Sequence, residues 1–149
     1  MLSKQSSHAL KALLLLAAEP QTWQSTHQLA TAQQLPEPML EQLVLRLRRA
    51  GLLVARRGRT GGYRLARSPR QISLAAVLAA LGDSPGDWTA AAINPTGAVS
   101  AADQVTQALA RRLERARQKA LEALSLEDLL FDLRSAEASR DAQGGLMLG

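Results

Sequence analysis

Apolar residues at helical spacing predict two helices at the start of the chain. The first covers residues 3–18, where the apolar positions form one broad face; Ser3 can cap its start, and a proline shortly after its end prevents continuation. The second is short and covers residues 26–34. Ser25 and Gln28 stand there at the spacing of a capping box, in which each side chain binds the backbone N–H of the other.

A third helix, in the segment PMLEQLVLRLRRAGL, has the clearest amphipathic pattern. Its apolar stripe follows the spacing i, i+3, i+4 and i+7 and consists of Leu40, Leu43, Val44 and Leu47. Gly51 suits the left-handed position that ends such a helix. Two short helices joined by a tight turn predict a helix-turn-helix, although any helical pair can produce the same pattern.

The segment that follows strengthens this interpretation. Residues 52–55 (LLVA) and 63–66 (YRLA) predict two short strands, and the residues between them, RRGRTGG, are rich in turn formers. A fourth helix is predicted at 73–81, capped by Ser73. A helix-turn-helix followed by a hairpin is a winged helix. We therefore expect a mainly α fold with a small β-hairpin, and a winged helix-turn-helix DNA-binding domain at 1–82.

The second half of the chain predicts a linker and a dimerisation helix. Residues 83–99 are rich in Pro and Gly and form a linker or possible effector region. A helix of residues 100–124 would be about 37 Å long, too long for a domain of ~80 residues to cover. A short helix is expected to complete a dimerisation region at 100–137, before a disordered tail at 138–149. The expected dimer contacts are Val105, Leu109, Leu113, Ala116, Ala120 and Leu124.

Charge separates the two halves in the same way. Residues 1–81 hold 11 Lys or Arg and 3 Asp or Glu, a balance of +8, whereas residues 82–149 hold 7 and 10, a balance of −3. The segment RRGRTGGYRLAR at 56–67 contains five arginines and three glycines. Glycine lets a hairpin tip adopt positive φ and approach a phosphate, and arginine supplies the charge that phosphates attract. Because this hairpin follows a helix-turn-helix, we expect it to contact DNA.

Other classes of function find little support in the residues. The chain has no cysteine, which excludes disulfides and thiolate-held zinc or iron–sulfur clusters. His8 and His27 lack further ligands at metal-binding spacing, so we expect no bound metal or cofactor. No catalytic arrangement of residues can be argued from the sequence, so we do not expect an enzyme. The apolar run at 12–18 is short for a signal peptide and far too short to span a bilayer. A cytoplasmic protein with no membrane contact is expected.

Three runs resemble the Rrf2 family of bacterial winged-helix regulators, in an IscR-like but cysteine-free form. They are HALKALLLLA, MLEQLVLRLRRAGLL, and RRGRTGGYRLA followed by ISLAAVLAAL, which together cover about residues 1–82. The wing of relatives often reads RGPGGGY, where this chain reads RGRTGGY. Relatives that sense iron–sulfur clusters carry three linker cysteines that this chain lacks. Other relatives respond to a partner protein or a small molecule.

The resemblance also implies a set of DNA contacts. Glu41 and Gln42 would face base edges, where Glu can accept from cytosine and Gln can pair with adenine. Arg48 would hold a phosphate, and Arg57 would enter the minor groove from the wing. The full expected set is Ser25, Thr26, Glu37, Pro38, Met39, Glu41, Gln42, Arg46, Arg48, Arg49, Arg56, Arg57, Arg59, Thr60, Gly61 and Gly62.

The sequence thus predicts a sequence-specific DNA-binding transcriptional regulator. We expect a repressor that binds double-stranded DNA as a homodimer on a near-palindromic operator, with a protein or small molecule as possible effector. Trp88 in the linker could line an effector pocket or anchor the linker to the core. The alternative is a protein-interaction module that keeps the winged-helix fold but binds DNA weakly or not at all, as Glu41 on the third helix would favour.

Overall fold

The computed structural model describes residues 2–82 and 100–148, with side chains described as far as residue 144. The predicted linker at 83–99, including Trp88, lies outside the described residues. Within them, no helix is long and apolar enough to cross a membrane. In chain order, the elements are α1 (Lys4–Ala18), α2 (Thr26–Gln33), α3 (Glu37–Arg49), β1 (Leu53–Arg56), β2 (Gly62–Leu65), a 3-10 turn (Pro69–Gln71), α4 (Leu74–Ala80), α5 (Ala101–Ala123) and α6 (Leu126–Leu148).

Serine side chains cap the N-termini of three helices, as the sequence predicts. Ser3 and Ser73 each accept a hydrogen bond from a backbone N–H in the first turn of their helix. Ser25 and Gln28 form the complete capping box at the start of α2. Gly51 follows the end of α3 with a φ of +79°, the left-handed conformation expected there. These local contacts satisfy backbone groups that the helix ends leave without a partner.

One aliphatic core joins the helices of the first half to the start of α6. The stripe of α3, predicted from its spacing, is buried. Leu13 of α1 and Leu29 of α2 are fully buried against it. Leu126, the first residue of α6, is equally buried in this cluster. Its backbone N–H donates to the Ile72 carbonyl at 3.0 Å, so the C-terminal helix is fastened to the core of the winged helix.

The hairpin is antiparallel, with Leu53 opposite Leu65 and Arg56 opposite Gly62. On its other side, β2 forms an isolated antiparallel bridge between Tyr63 and Gln24, the residue before the α2 cap. The base of the wing is therefore held by the segment that leads into the helix-turn-helix. The bridge between Gln24 and Tyr63 was not predicted from the sequence, because a single bridging residue leaves no alternating pattern.

The C-terminal helix differs from the expectation. A short helix followed by a disordered tail at 138–149 was expected, but residues 138–148 continue α6. The segment from Arg134 to Gln143 is polar, and its described side chains are exposed, but it contains Ala, Glu, Arg and Gln, which favour helix, and no proline. The small and polar composition after Ala138 predicts disorder, whereas the intrinsic propensities of these residues allow the helix to continue.

Candidate nucleic-acid interface

The first turns of α2 and α3 meet at one surface. Nδ1 of His27, in the first turn of α2, lies 3.0 Å from Oε2 of Glu37, the first residue of α3. Ser25 and Thr26, which were expected to contact DNA, stand at the start of α2 beside this contact. The two helix N-termini, whose backbone N–H groups favour anions, are thus brought to the same side of the helix-turn-helix.

The base of the wing is attached to the same surface. The backbone N–H of Tyr63 donates to the Gln24 carbonyl at 2.8 Å, and the Gln24 N–H donates to the Tyr63 carbonyl at 3.1 Å. A Cβ at Gly62, where φ is +142°, would clash with the backbone of Gln24 and Ser25. Only glycine lets the wing approach this closely. Wing base, start of α2 and start of α3 therefore form one continuous surface.

The outer face of α3 carries the polar residues that were predicted to contact bases and phosphates. Glu41, Gln42, Arg48 and Arg49 are exposed, on the side away from the buried stripe. Pro38 is exposed in the first turn. These five share one helix and one accessible side, as an element that enters a groove requires.

Two other expected residues of α3 point elsewhere. The Nη1 group of Arg46 donates to the Leu81 carbonyl at the C-terminal end of α4, at 3.3 Å. Met39 is half-buried and packs against the hydrophobic core. Met39 is therefore not part of the exposed set, whereas Arg46 is exposed but uses a guanidinium donor on the Leu81 carbonyl. Sequence spacing alone could not separate Arg46 from Arg48 and Arg49, since all three lie off the apolar stripe.

The wing arginines divide into two pairs. Arg56 donates to the Thr60 carbonyl at 2.8 Å and to its hydroxyl at 3.1 Å, while Arg64 donates to the Gln21 carbonyl. Arg57 and Arg59 are exposed, and within residues 2–82 and 100–148 their guanidinium groups have no hydrogen bond or ion pair. The tip pair is therefore available to an external anion, and the strand pair is used inside the protein.

Trp23 is the residue of this surface that sequence reasoning missed. The guanidinium carbons of Arg56 and Arg64 lie 5.0 and 4.4 Å from the centre of its ring. These distances are those of cation–π contacts. No periodic pattern could have paired Trp23 with the strands of a distant hairpin. The available signal was the rarity of aromatic residues in a chain with only two tryptophans.

The basic surface is not neutralised by the protein itself. Among the described residues, the ion pairs are His27–Glu37 and Glu114–Arg117, and neither involves an arginine of α3 or the wing. Away from this surface, Ser100 and Asp103 form a capping box at the start of α5. Hydrogen bonds from Ser100 lower the pKa of Asp103 below its usual value. The helix and the wing therefore keep a net positive field that can attract a polyanion.

The long helix α5 presents an apolar stripe to the outside. Its exposed apolar side chains are Val105, Leu109 and Leu113, which are 68%, 53% and 42% exposed. Among the residues of α5, Ala110 is the buried one. The expected contacts Ala116, Ala120 and Leu124 are exposed as well, and Phe131 on α6 is 71% exposed.

Comparisons with known proteins identify the family to which the chain belongs. The profile of the family Rrf2, described as "Iron-dependent Transcriptional regulator", matches residues 2–132. The chain belongs to the Rrf2 family. A relative from Synechocystis sp., slr0846, named as a candidate HTH-type transcriptional regulator, is 40% identical over 140 residues and is matched over 93% of each chain. This Rrf2 chain is thus a DNA-binding transcriptional regulator, and its relatives are named as regulators, not as enzymes.

Solved structures agree in fold. IscR of T. potens superimposes with a TM-score of 0.72 at 28% identity, over 91% of this chain and 90% of the other. CymR of B. subtilis, titled the global cysteine regulator, gives a TM-score of 0.70 at 28% identity, over 87% and 95%. The predicted fold class, mainly α with one small hairpin, is confirmed.

An iron–sulfur cluster does not fit the residues of this chain. Such clusters are held by cysteine thiolates, and the sequence has no cysteine. Within the described ranges, moreover, no three residues of the types His, Cys, Asp or Glu come together as a metal site. The iron dependence in the family description therefore finds no thiolate ligand set in this chain.

Proposed function

We propose that this regulator is a repressor that binds a near-palindromic operator as a homodimer, with α3 in the major groove and the wing against the adjacent minor groove. The observation that carries the proposal is the continuous surface from Tyr63 through Gln24 to His27 and Glu37. It fixes the wing base beside the start of the recognition helix. One duplex can then meet both elements at once.

Each contact has a stated role in this proposal. Glu41 and Gln42 read base edges, because their carboxylate and amide groups complement cytosine and adenine. Arg48 and Arg49 bind phosphates beside the groove, and Arg57 enters the minor groove. The remaining contacts come from residues that shape or flank these elements: Ser25, Thr26, Glu37, Pro38, Arg59, Thr60, Gly61 and Gly62. The placement of Arg46 and Met39 makes them supporting residues.

The dimer is supported by the apolar stripe of α5. A helix of 23 residues is about 34 Å long, and the same stripe on a second chain offers a self-complementary partner. Two-fold symmetry then places two recognition helices on two half-sites. The predicted effector region at 83–99 follows α4, whose last carbonyls include the acceptor of Arg46. We propose that a small molecule or partner protein acts there.

The experiment measures binding of a fluorescent duplex from the protein's own upstream region, over a series of salt concentrations. We expect tight binding by the wild type, with affinity that falls steeply as salt rises. Arg57→Ala should weaken binding and lower the salt slope by about 0.9. Arg140→Ala, an exposed arginine on α6, is the matched control and should leave both unchanged.

The second candidate is an interaction module that keeps the fold. It is favoured by one observation: the carboxylate of Glu41 is exposed on the outer face of α3, where it would repel phosphates. Absence of binding at low salt, together with equal behaviour of the wild type and Arg57→Ala, would support this candidate and reject the operator proposal.

A further inference from the structure

We propose that Trp23 is a positioning residue for the wing, which holds the DNA-facing tip arginines in place without touching DNA itself. This inference rests on the proposed function, because it concerns how the wing reaches the duplex. It assigns a role to an aromatic side chain outside both the recognition helix and the hairpin.

Trp23 contacts both strands of the hairpin. Arg56 lies on β1 and Arg64 on β2, and both guanidinium groups lie over the indole ring, at 5.0 and 4.4 Å from its centre. The indole ring is the aromatic face that attracts cations most strongly. A single ring thus fixes one cation from each strand, and with them the orientation of the hairpin relative to the segment before α2.

The chain on both sides of Trp23 is held by hydrogen bonds. The next residue, Gln24, pairs its backbone with Tyr63 in both directions, and its side-chain amide donates to the Leu15 carbonyl of α1 at 3.3 Å. Arg64 also donates to the Gln21 carbonyl, two residues before Trp23. The platform under the wing is therefore connected to the helical core on one side and to β2 on the other.

Arg56 transmits this position to the tip. Its guanidinium group lies over Trp23 and also donates to the carbonyl and hydroxyl oxygens of Thr60, at 2.8 and 3.1 Å. Thr60 closes the loop that carries Arg57 and Arg59. Trp23, Arg56 and Thr60 thus form a chain of contacts from the platform to the tip. Removal of the ring leaves both tip charges in place but releases the loop.

This mechanism predicts a specific change on DNA. Trp23→Leu, which keeps apolar bulk but removes the aromatic face, should weaken operator binding roughly fivefold to thirtyfold, the combined size of two exposed cation–π contacts. The salt slope should fall by up to about 2, because Arg57 and Arg59 no longer reach the duplex reliably. Trp23→Phe retains an aromatic face and should recover most of the affinity.

A double-mutant cycle separates positioning from general loss of structure. Trp23→Leu should couple to Arg57→Ala, so that the second substitution costs little once the first is present. It should be additive with Arg49→Ala, a matched arginine on α3. Equal coupling to both arginines, or no recovery in Trp23→Phe, would overturn the inference and reduce Trp23 to a structural residue.

A measurement without DNA tests the same idea. Trypsin cleaves after arginine, and we expect Trp23→Leu to increase cleavage after Arg57 and Arg59 severalfold, because a released loop fits a protease site more often. Cleavage after Arg140 on α6 is the internal control and should not change. If the wild type fails to bind DNA but cleavage at the tip still depends on Trp23, the operator proposal fails and the wing mechanism stands. Unchanged cleavage at the tip, with normal DNA binding, would reject the wing mechanism alone.

Discussion

His27 and Glu37 are in contact across the turn of the helix-turn-helix, with 3.0 Å between Nδ1 and Oε2. Both side chains are substantially exposed, at 74% and 40%. The contact joins the first turns of α2 and α3, but its exposure limits its contribution to stability to about 1 kcal/mol or less. Its main effect is electrostatic, since it holds the carboxylate of Glu37 at the edge of a basic surface.

Substitution of this carboxylate should strengthen DNA binding. Glu37→Gln removes a negative charge beside the phosphate-facing side of α3, so affinity for non-specific duplex at low salt should rise severalfold. The thermal midpoint should change little, because the contact between His27 and Glu37 is exposed and contributes little to stability. Glu127→Gln, an exposed glutamate on α6, is the control. An unchanged affinity for non-specific duplex would place Glu37 away from the DNA, and a lower affinity would contradict the repulsion assigned to its carboxylate.

The apolar stripe of α5 can be tested through the state of assembly. Leu113→Glu places a charge in the proposed dimer contact, and we expect a monomer by analytical ultracentrifugation with helix content preserved. Affinity for a full operator should fall more than tenfold, while affinity for a half-site stays the same. Gln104→Glu adds the same charge at a helical position away from the stripe and should remain dimeric. A monomeric wild type would remove the basis of the dimer proposal.

The glycine at the wing base should tolerate no side chain. Gly62→Ala forces a Cβ against the Gln24 backbone at a φ of +142°, so the bridge to the segment before α2 must open. Strain and lost contacts should cost about 1–3 kcal/mol and most of the specific DNA affinity. Gly58→Ala is the comparison, because its φ of +108° is also strained but its Cβ meets open space. Thermal unfolding and DNA binding together should rank Gly62→Ala as the more damaging. Equal losses would mean that the close approach contributes nothing.

The capping box of α2 should be worth a measurable part of the stability. Ser25→Ala removes the acceptor of the Gln28 N–H and should lower the free energy of unfolding by about 1 kcal/mol. For a chain of this size, the midpoint should fall by roughly 3–5 °C in a thermal scan followed by circular dichroism. Thr31→Ala, on the exposed side of the same helix, should have a smaller effect.

Acid should weaken the start of α5. The Ser100 hydrogen bonds lower the pKa of Asp103, so the folded state favours its carboxylate. This contribution is complete above the unfolded pKa near 3.8 and is lost as the pH falls through the lower folded value. Thermal midpoints of the wild type and Asp103→Asn should therefore differ at pH 6 and converge in strong acid. A constant difference at every pH would exclude this carboxylate as the cause.

Local patterns in the sequence predicted most of the fold. Serine caps, the glycine after α3 and the stripe of α3 act over a few neighbouring positions, so their physics is visible in short segments. The hairpin was placed to within one residue for the same reason. The single bridge from Gln24 to Tyr63 and the burial of Leu126 could not be predicted, because they depend on how distant segments meet in three dimensions.

The same limit applies to the candidate site. Sequence placed the basic residues on the right elements but could not say which guanidinium groups the protein uses internally. Arg46 donates to the Leu81 carbonyl, and Arg56 and Arg64 lie over Trp23, whereas the guanidinium groups of Arg57 and Arg59 have no partner within the described residues. The difference depends on rotamers and neighbours, and all five look equivalent as charges along a chain.

The side chain of Leu126 fills the interior of the winged helix although it belongs to the last helix. A fragment that stops at the end of α4 would therefore expose a leucine-sized hole and lose the backbone bond that Leu126 makes to Ile72. The DNA-binding half is thus not a detachable module. Reporter fusions and swapped chimeras built from it must carry the beginning of α6, whatever is done with the rest of the C-terminal half.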